Sequence, residues 1–104
     1  MAEITIVYWR DIPAQVIAGK GRRGTKVPLS ERFEQAIDRA AMKVGASDTD
    51  AYLAEWRRAS GGDEEGEPQA LAEATAARLE HHYDDARLRA LIANDGWAKG
   101  PDTP

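Results

Sequence analysis

The sequence predicts an α+β domain, a small antiparallel β-sheet at the N-terminus covered by three or four α-helices. Three observations carry that expectation. Ile4-Thr5-Ile6-Val7-Tyr8-Trp9 is dense in β-branched and aromatic residues, which suit a pleated surface. Gly19, Gly21 and Gly24 punctuate a loop between two extended flanks, the pattern of a hairpin. Beyond residue 30 the apolar spacing changes to the period of a helix.

Taken in order, residues 4–9 form the first strand, with Ile4, Ile6 and Tyr8 on one face and Thr5, Val7 and Trp9 on the other. Both faces are largely apolar, so this strand is expected to be central. Asp11-Ile12-Pro13 interrupts it, because Pro13 has no N–H for a ladder. Gln15–Ala18 resumes extended structure, and Thr25–Leu29 returns after the glycine loop, with Pro28 suited to an end or an edge. Ser30 is an N-cap residue with Glu31 in the first turn, where the helix dipole favours a negative charge. Phe33, Ala36, Ile37, Ala40, Ala41 and Val44 then mark one buried helical face, and Gly45 suits a left-handed stop.

Ser47-Asp48-Thr49-Asp50 reads as the start of a second helix, carrying Tyr52, Leu53 and Trp56 and ending at Ser60-Gly61-Gly62. Residues 61–67 read as a mobile acidic connector without an apolar anchor. Pro68 fits the first turn of a further helix, striped by Leu71, Thr75, Leu79 and Tyr83. At Asp84-Asp85 the stripe shifts to Leu88, Leu91 and Ile92, which predicts one bent helix or two helices ending at Asn94-Asp95-Gly96. A single domain over residues 1–97 and a flexible tail over 98–104 complete the reading.

Composition bounds the function. The 104 residues are 42% hydrophobic and 31% charged, ordinary for a globular domain able to bury a modest core. Without cysteine, disulfides, thiolate catalysis and Cys-ligated zinc are excluded. No apolar run approaches the roughly 18 residues of a membrane helix, and Met1-Ala2-Glu3 does not open a signal peptide, so the expectation is a cytoplasmic protein with no membrane partner. Net charge is −4 but polarised, +2 over residues 1–60 and −6 over residues 61–104. Nucleic acid is not an expected partner, because phosphate affinity needs a concentrated basic face. Only the loop bearing Lys20, Arg22, Arg23 and Lys26 offers one.

That loop fails as a nucleotide-binding P-loop. Gly24 is followed by Thr25-Lys26, the reverse of Gly-Lys-Ser/Thr, and Val27-Pro28-Leu29 separates it from the next helix. It reads first as a solvated turn and second as a basic contact surface. The only histidines, His81 and His82, lie about 100° apart on a helix and do not share a metal; no metal or cofactor is expected. Ser30, Ser47 and Ser60 sit where caps or breaks explain them, so no catalytic residue is assigned. Asp11 reads as a cap for the turn before Pro13 and Arg10 as the partner of a carboxylate. Trp97, after a helix stop, either folds back onto the domain or serves as an interface anchor.

Tyr8-Trp9-Arg10-Asp11-Ile12-Pro13-Ala14-Gln15-Val16, the Gly/Arg loop and Arg32-Phe33-Glu34-Gln35-Ala36-Ile37-Asp38-Arg39-Ala40-Ala41-Met42 together resemble the small bacterial "virulence factor" domains. The chain is similar in this to the C-terminal module of conserved virulence factor C, where the domain follows helical repeats. The resemblance covers residues 3–60 and resumes at Leu88–Trp97, and it transfers no catalytic residue. It implies an accessory protein beside folate- and cobalamin-dependent methyl transfer, although no corrinoid-binding Asp-x-His-x-x-Gly signature is present. Two functions follow. The first is a non-catalytic accessory or protein-interaction module with an unidentified protein partner and Trp97 as anchor. The second is an anionic-ligand-binding protein or enzyme subunit using Arg10, Lys20, Arg22, Arg23 and Lys26, since guanidinium groups suit carboxylate and phosphate.

Overall fold

A computed structural model describes residues 2–19, 24–46 and 50–98. Strands β1 (Ala2–Trp9), β2 (Ile12–Ala18) and β3 (Thr25–Pro28) precede helix α1 (Glu31–Lys43). Helix α2 (Asp50–Ala54), strand β4 (Trp56–Glu64) and helices α3 (Pro68–His82) and α4 (Asp85–Ala93) follow. The sheet is antiparallel, in the order β3-β2-β1-β4. The α+β class is as expected, and β1 is central.

The second expected helix is corrected. Its expected start at Ser47-Asp48-Thr49 lies outside the described residues; the helix ends at Ala54, and Trp56–Glu64 is a strand, into which the acidic connector contributes Gly61–Glu64. The physical reason is non-local. With β2 on one side, β1 would leave a row of unpaired amides and carbonyls on the other, and β4 satisfies them from Ala2↔Glu64 to Trp9↔Trp56. Gly61 is the extra residue where the register shifts between Ile4 and Thr5, and a Cβ there would come within 2.9 Å of Ile4 Cγ2.

Helix α3 packs on β2 and β3, and α1 packs on β2 and α4. The core runs through Ile4, Trp9, Val16, Phe33, Ala40 and Leu88. Trp9 and Phe33 are fully buried, each stabilising the fold by about 2–3 kcal/mol. On α3 the deepest residues are Ala72, Thr75 and Ala76; their small side chains let the helix approach the sheet, while Leu71, Leu79 and Tyr83 pack around them. Among the described residues no helix is long and apolar enough to cross a membrane.

Helix ends follow local chemistry with one exception. Ala46 N–H bonds the Ala41 carbonyl and Gly45 N–H the Met42 carbonyl, with Gly45 at φ 72°, so α1 ends in the left-handed stop its glycine predicts. The Glu67 carboxylate caps α3 by accepting from Gln69 and Ala70 N–H, with Pro68 opening the helix. Asp84 breaks the chain into two helices and caps α4 through Arg87 N–H. Ser30 sits at the N-cap of α1, but its hydroxyl does not cap. Instead its Oγ and N–H donate to the two oxygens of Glu80, at 2.8 and 2.7 Å. Arg32 donates to the Glu80 and Tyr83 carbonyls, satisfying groups left open at the end of α3.

Candidate functional site

A cleft of about 540 Å³ lies between α1, the sheet and the α2–β4 junction. Its size is that of a small-ligand or side-chain pocket. Its floor is a row across three strands, Val7 of β1 beside Gln15 of β2 beside Pro28 of β3. Tyr52 and Trp56 close one end, their rings edge-to-face at 5.9 Å. Tyr52 is held from behind, since the buried Trp9 indole donates to its carbonyl at 2.9 Å and stacks beside its ring.

The wall contributed by α1 is acidic. Glu31, Glu34 and Asp38 follow at i, i+3 and i+7, so one helical stripe carries them to the cleft together with Gln35. The basic residues Arg32 and Arg39 fall on the other flank, beside Asp85 and Arg89 of α4. A merely solvated face gains by interleaving opposite charges at i, i+4; this helix separates them and sets Asp38 four residues after Glu34 as a like-charge pair. The dipole at the helix start accounts for Glu31 and Glu34, but its effect fades within the first turn and does not reach Asp38. All three carboxylates are exposed, and none has a hydrogen bond or ion pair among the described residues.

The residues singled out from sequence fall elsewhere. Lys20, Arg22 and Arg23 lie outside the described residues. Lys26 is exposed on β3 opposite Ile17. Arg10 occupies the two-residue turn between β1 and β2, roughly 15 Å or more away along the strands. These two do not share a site. Arg10 is engaged within the fold: at φ 54°, its Nη1 donates to the Asp95 carbonyl at 2.7 Å, and its Nε lies 3.7 Å from Glu55 Oε2. Its guanidinium sits between the Trp9 and Trp97 rings, 5.0 and 5.1 Å from their centroids.

Asp11 does not cap the turn before Pro13. Its carboxylate accepts from Arg57 at 2.8 Å and from Ala98 N–H at 2.7 Å, tying the segment after α4 to the first turn. Trp97 therefore folds back onto Arg10, 40% exposed. His81 and His82 are exposed at the end of α3, and among the described residues no group of three His, Asp or Glu side chains gathers for a metal.

Sequence reasoning missed the cleft. The like-charge spacing of Glu34 and Asp38 was the available signal on α1, whereas Tyr52 and Trp56 reach the site only through the strand that followed α2 instead of a longer helix. Where the carboxyl of Glu80 meets α1, partial burial raises its pKa, but hydrogen bonds from Ser30 and Arg32 outweigh this and hold it below the ordinary value.

A family model described as "Virulence factor" matches residues 7–92. Neither a curated protein nor a solved structure matches the chain.

Proposed function

The chain belongs to the virulence factor family, and from that premise we propose that it is a protein-interaction module, an accessory domain without a reaction of its own, whose cleft receives a cationic segment of its partner. The observation that carries this reading is the row of Glu31, Glu34 and Asp38, without partners among the described residues, beside Tyr52 and Trp56. A lysine or arginine side chain entering there meets carboxylates along one wall and aromatic faces at the end. Charge-assisted hydrogen bonds and cation–π contact reward the same guest, the latter by about 0.5–2 kcal/mol. The accessory place beside methyl transfer belongs to this reading, as does a cytoplasmic setting.

Titration calorimetry with an arginine-rich decapeptide and a glutamate-rich one tests it. Binding of the basic peptide alone is expected, weakened at least tenfold by Glu34→Gln/Asp38→Asn. Equal binding of both peptides, or none by the basic one, would refute the cleft. Pull-down with wild type and with Glu34→Lys/Asp38→Lys as baits then names the partner, and recovery of a methyltransferase by wild type alone would support the accessory role.

A second reading, recognition of an anion by the basic loop, is favoured by one observation: Lys26 is exposed and without a partner among the described residues. A thermal-shift screen of phosphates and polyglutamates separates the two, since a ligand that binds only the folded state raises Tm. Retention of the same shift by Arg22→Ala/Arg23→Ala would remove the loop from consideration.

A further inference from the structure

Strand β4 is an edge of the sheet, nine residues long, and its outer side has no neighbour among the described residues. In an antiparallel ladder, alternate residues turn their amides and carbonyls toward the partner strand. Arg10 N–H bonds the Glu55 carbonyl, so Arg57 and Ala59 turn toward β1, and Arg58 and Ser60 turn outward. Past the bulge, Glu3 gives its carbonyl to Gly19 of the β2 side. Its partner on β4, Asp63, therefore also turns outward. Arg58 and Asp63 stand opposite Val7 and Glu3, which share one face of β1, so their side chains emerge on the same face of the sheet.

Edges are commonly guarded by a bulge and by charge. Here the bulge lies at the midpoint and the charge changes sign across it. Arg57 and Arg58 precede the glycines, and Asp63 and Glu64 follow them. Arg57 is spent on Asp11, and Glu64 lies 3.7 Å from Arg78. Arg58 and Asp63 have no hydrogen bond or ion pair among the described residues. At the midpoint Gly61 and Gly62 carry no side chain, which suits the close approach of a second backbone.

We propose that β4 pairs with β4 of a second copy of this chain about a two-fold axis between Ser60 and Gly61, setting Arg58 of each copy against Asp63 of the other. Arg58 and Asp63, the two members of that pair, both turn amide and carbonyl outward, as a hydrogen-bonded antiparallel pair requires. A two-fold axis makes the edge self-complementary, so the same patch serves both copies. The sheet then continues across the axis as eight strands, twice the four of one copy. A register centred on Arg58 or on Asp63 would instead oppose like charges, which destabilises a cross-strand pair.

Sedimentation velocity at about 10–500 μM, which spans micromolar dissociation constants, decides the matter with Arg58→Asp, Asp63→Arg, their equimolar mixture and the double variant. The wild type is expected at twice the 11.4 kDa of one chain. Each single reversal should lower association at least tenfold, while the 1:1 mixture and the double variant recover it. Circular dichroism and Tm of the single variants, read at a concentration where the wild type is monomeric, should match wild type, since neither side chain has a partner to lose among the described residues. A wild type that stays monomeric overturns the proposal, and so do single variants that dimerise undiminished. A mixture that fails to associate overturns the register, and with it the pairing.

Discussion

Arg10 is the side chain whose removal is expected to cost most for its place on the surface. In Arg10→Ala the hydrogen bond to the Asp95 carbonyl disappears, which for a charged donor is worth about 1.5–3 kcal/mol. The contacts with the Trp9 and Trp97 rings go as well, at about 0.5–1 kcal/mol each. The side chain is only 15% exposed, so solvent screens these terms weakly. One guanidinium makes all of them, so they do not simply add, and the expected loss is about 3 kcal/mol. For a domain of this size that lowers Tm by roughly 12–24 °C.

Arg10→Gly removes the same contacts but relieves the left-handed backbone at φ 54°, and should recover about 1 kcal/mol of the loss. Urea denaturation followed by far-UV circular dichroism measures both variants, with equal m-values confirming comparable denatured states. A loss under about 1 kcal/mol for Arg10→Ala, the level of an ordinary surface change, would refute this account of the turn. So would an Arg10→Gly variant less stable than Arg10→Ala.

Two further predictions concern the frame around the cleft. The Glu80 carboxyl has a folded pKa below its ordinary 4.5, so the unfolded chain binds more protons in that window. Its contribution is complete above pH 4.5 and is lost as pH falls through the folded value; Glu80→Gln should therefore show a flatter fall in Tm between about pH 5 and pH 3. Gly96→Ala places a Cβ 3.1 Å from the Trp9 ring and 3.2 Å from Arg10 Cδ, at φ 92°. Gly45→Ala meets nothing within 4 Å at φ 72°. Both incur the left-handed cost of about 1–2 kcal/mol, and only Gly96→Ala should exceed it, a difference read by urea denaturation.

Local chemistry made much of the fold legible. Gly45 ends α1, Pro68 opens α3, and Asp84 marks the break before α4, because each acts within a few residues of itself; Ser30 marks the start of α1, but its hydroxyl bonds Glu80 across the fold. Trp56-Arg57-Arg58-Ala59-Ser60 was legible only in retrospect. Its residues have fair helix propensity and no apolar alternation, and β1, far away in sequence, decides its conformation. The demand was nevertheless present in the sequence. A strand apolar on both faces was expected to be central, and the hairpin of residues 15–29 supplied a neighbour on one side only. The cleft divided in the same way. Its acidic stripe is a property of α1 alone, whereas Tyr52 and Trp56 come to it from another element.

The late arrival of β4 also orders events in time. The turn joining β1 to β2 closes locally, but the other side of β1 waits for residues that follow Trp9 by about 50 positions. At translation rates of about 5–20 residues per second, that edge stands open for roughly 3–10 s on a nascent chain. The exposed segment is Ile4-Thr5-Ile6-Val7-Tyr8-Trp9, uncharged and rich in β-branched residues, the kind of window that pairs with copies of itself. Closing so long a loop is entropically slow, so β4 docking belongs to the late steps of folding. Glu3 and Arg10, flanking that window, are the nearest charges available to keep it from meeting another nascent chain first.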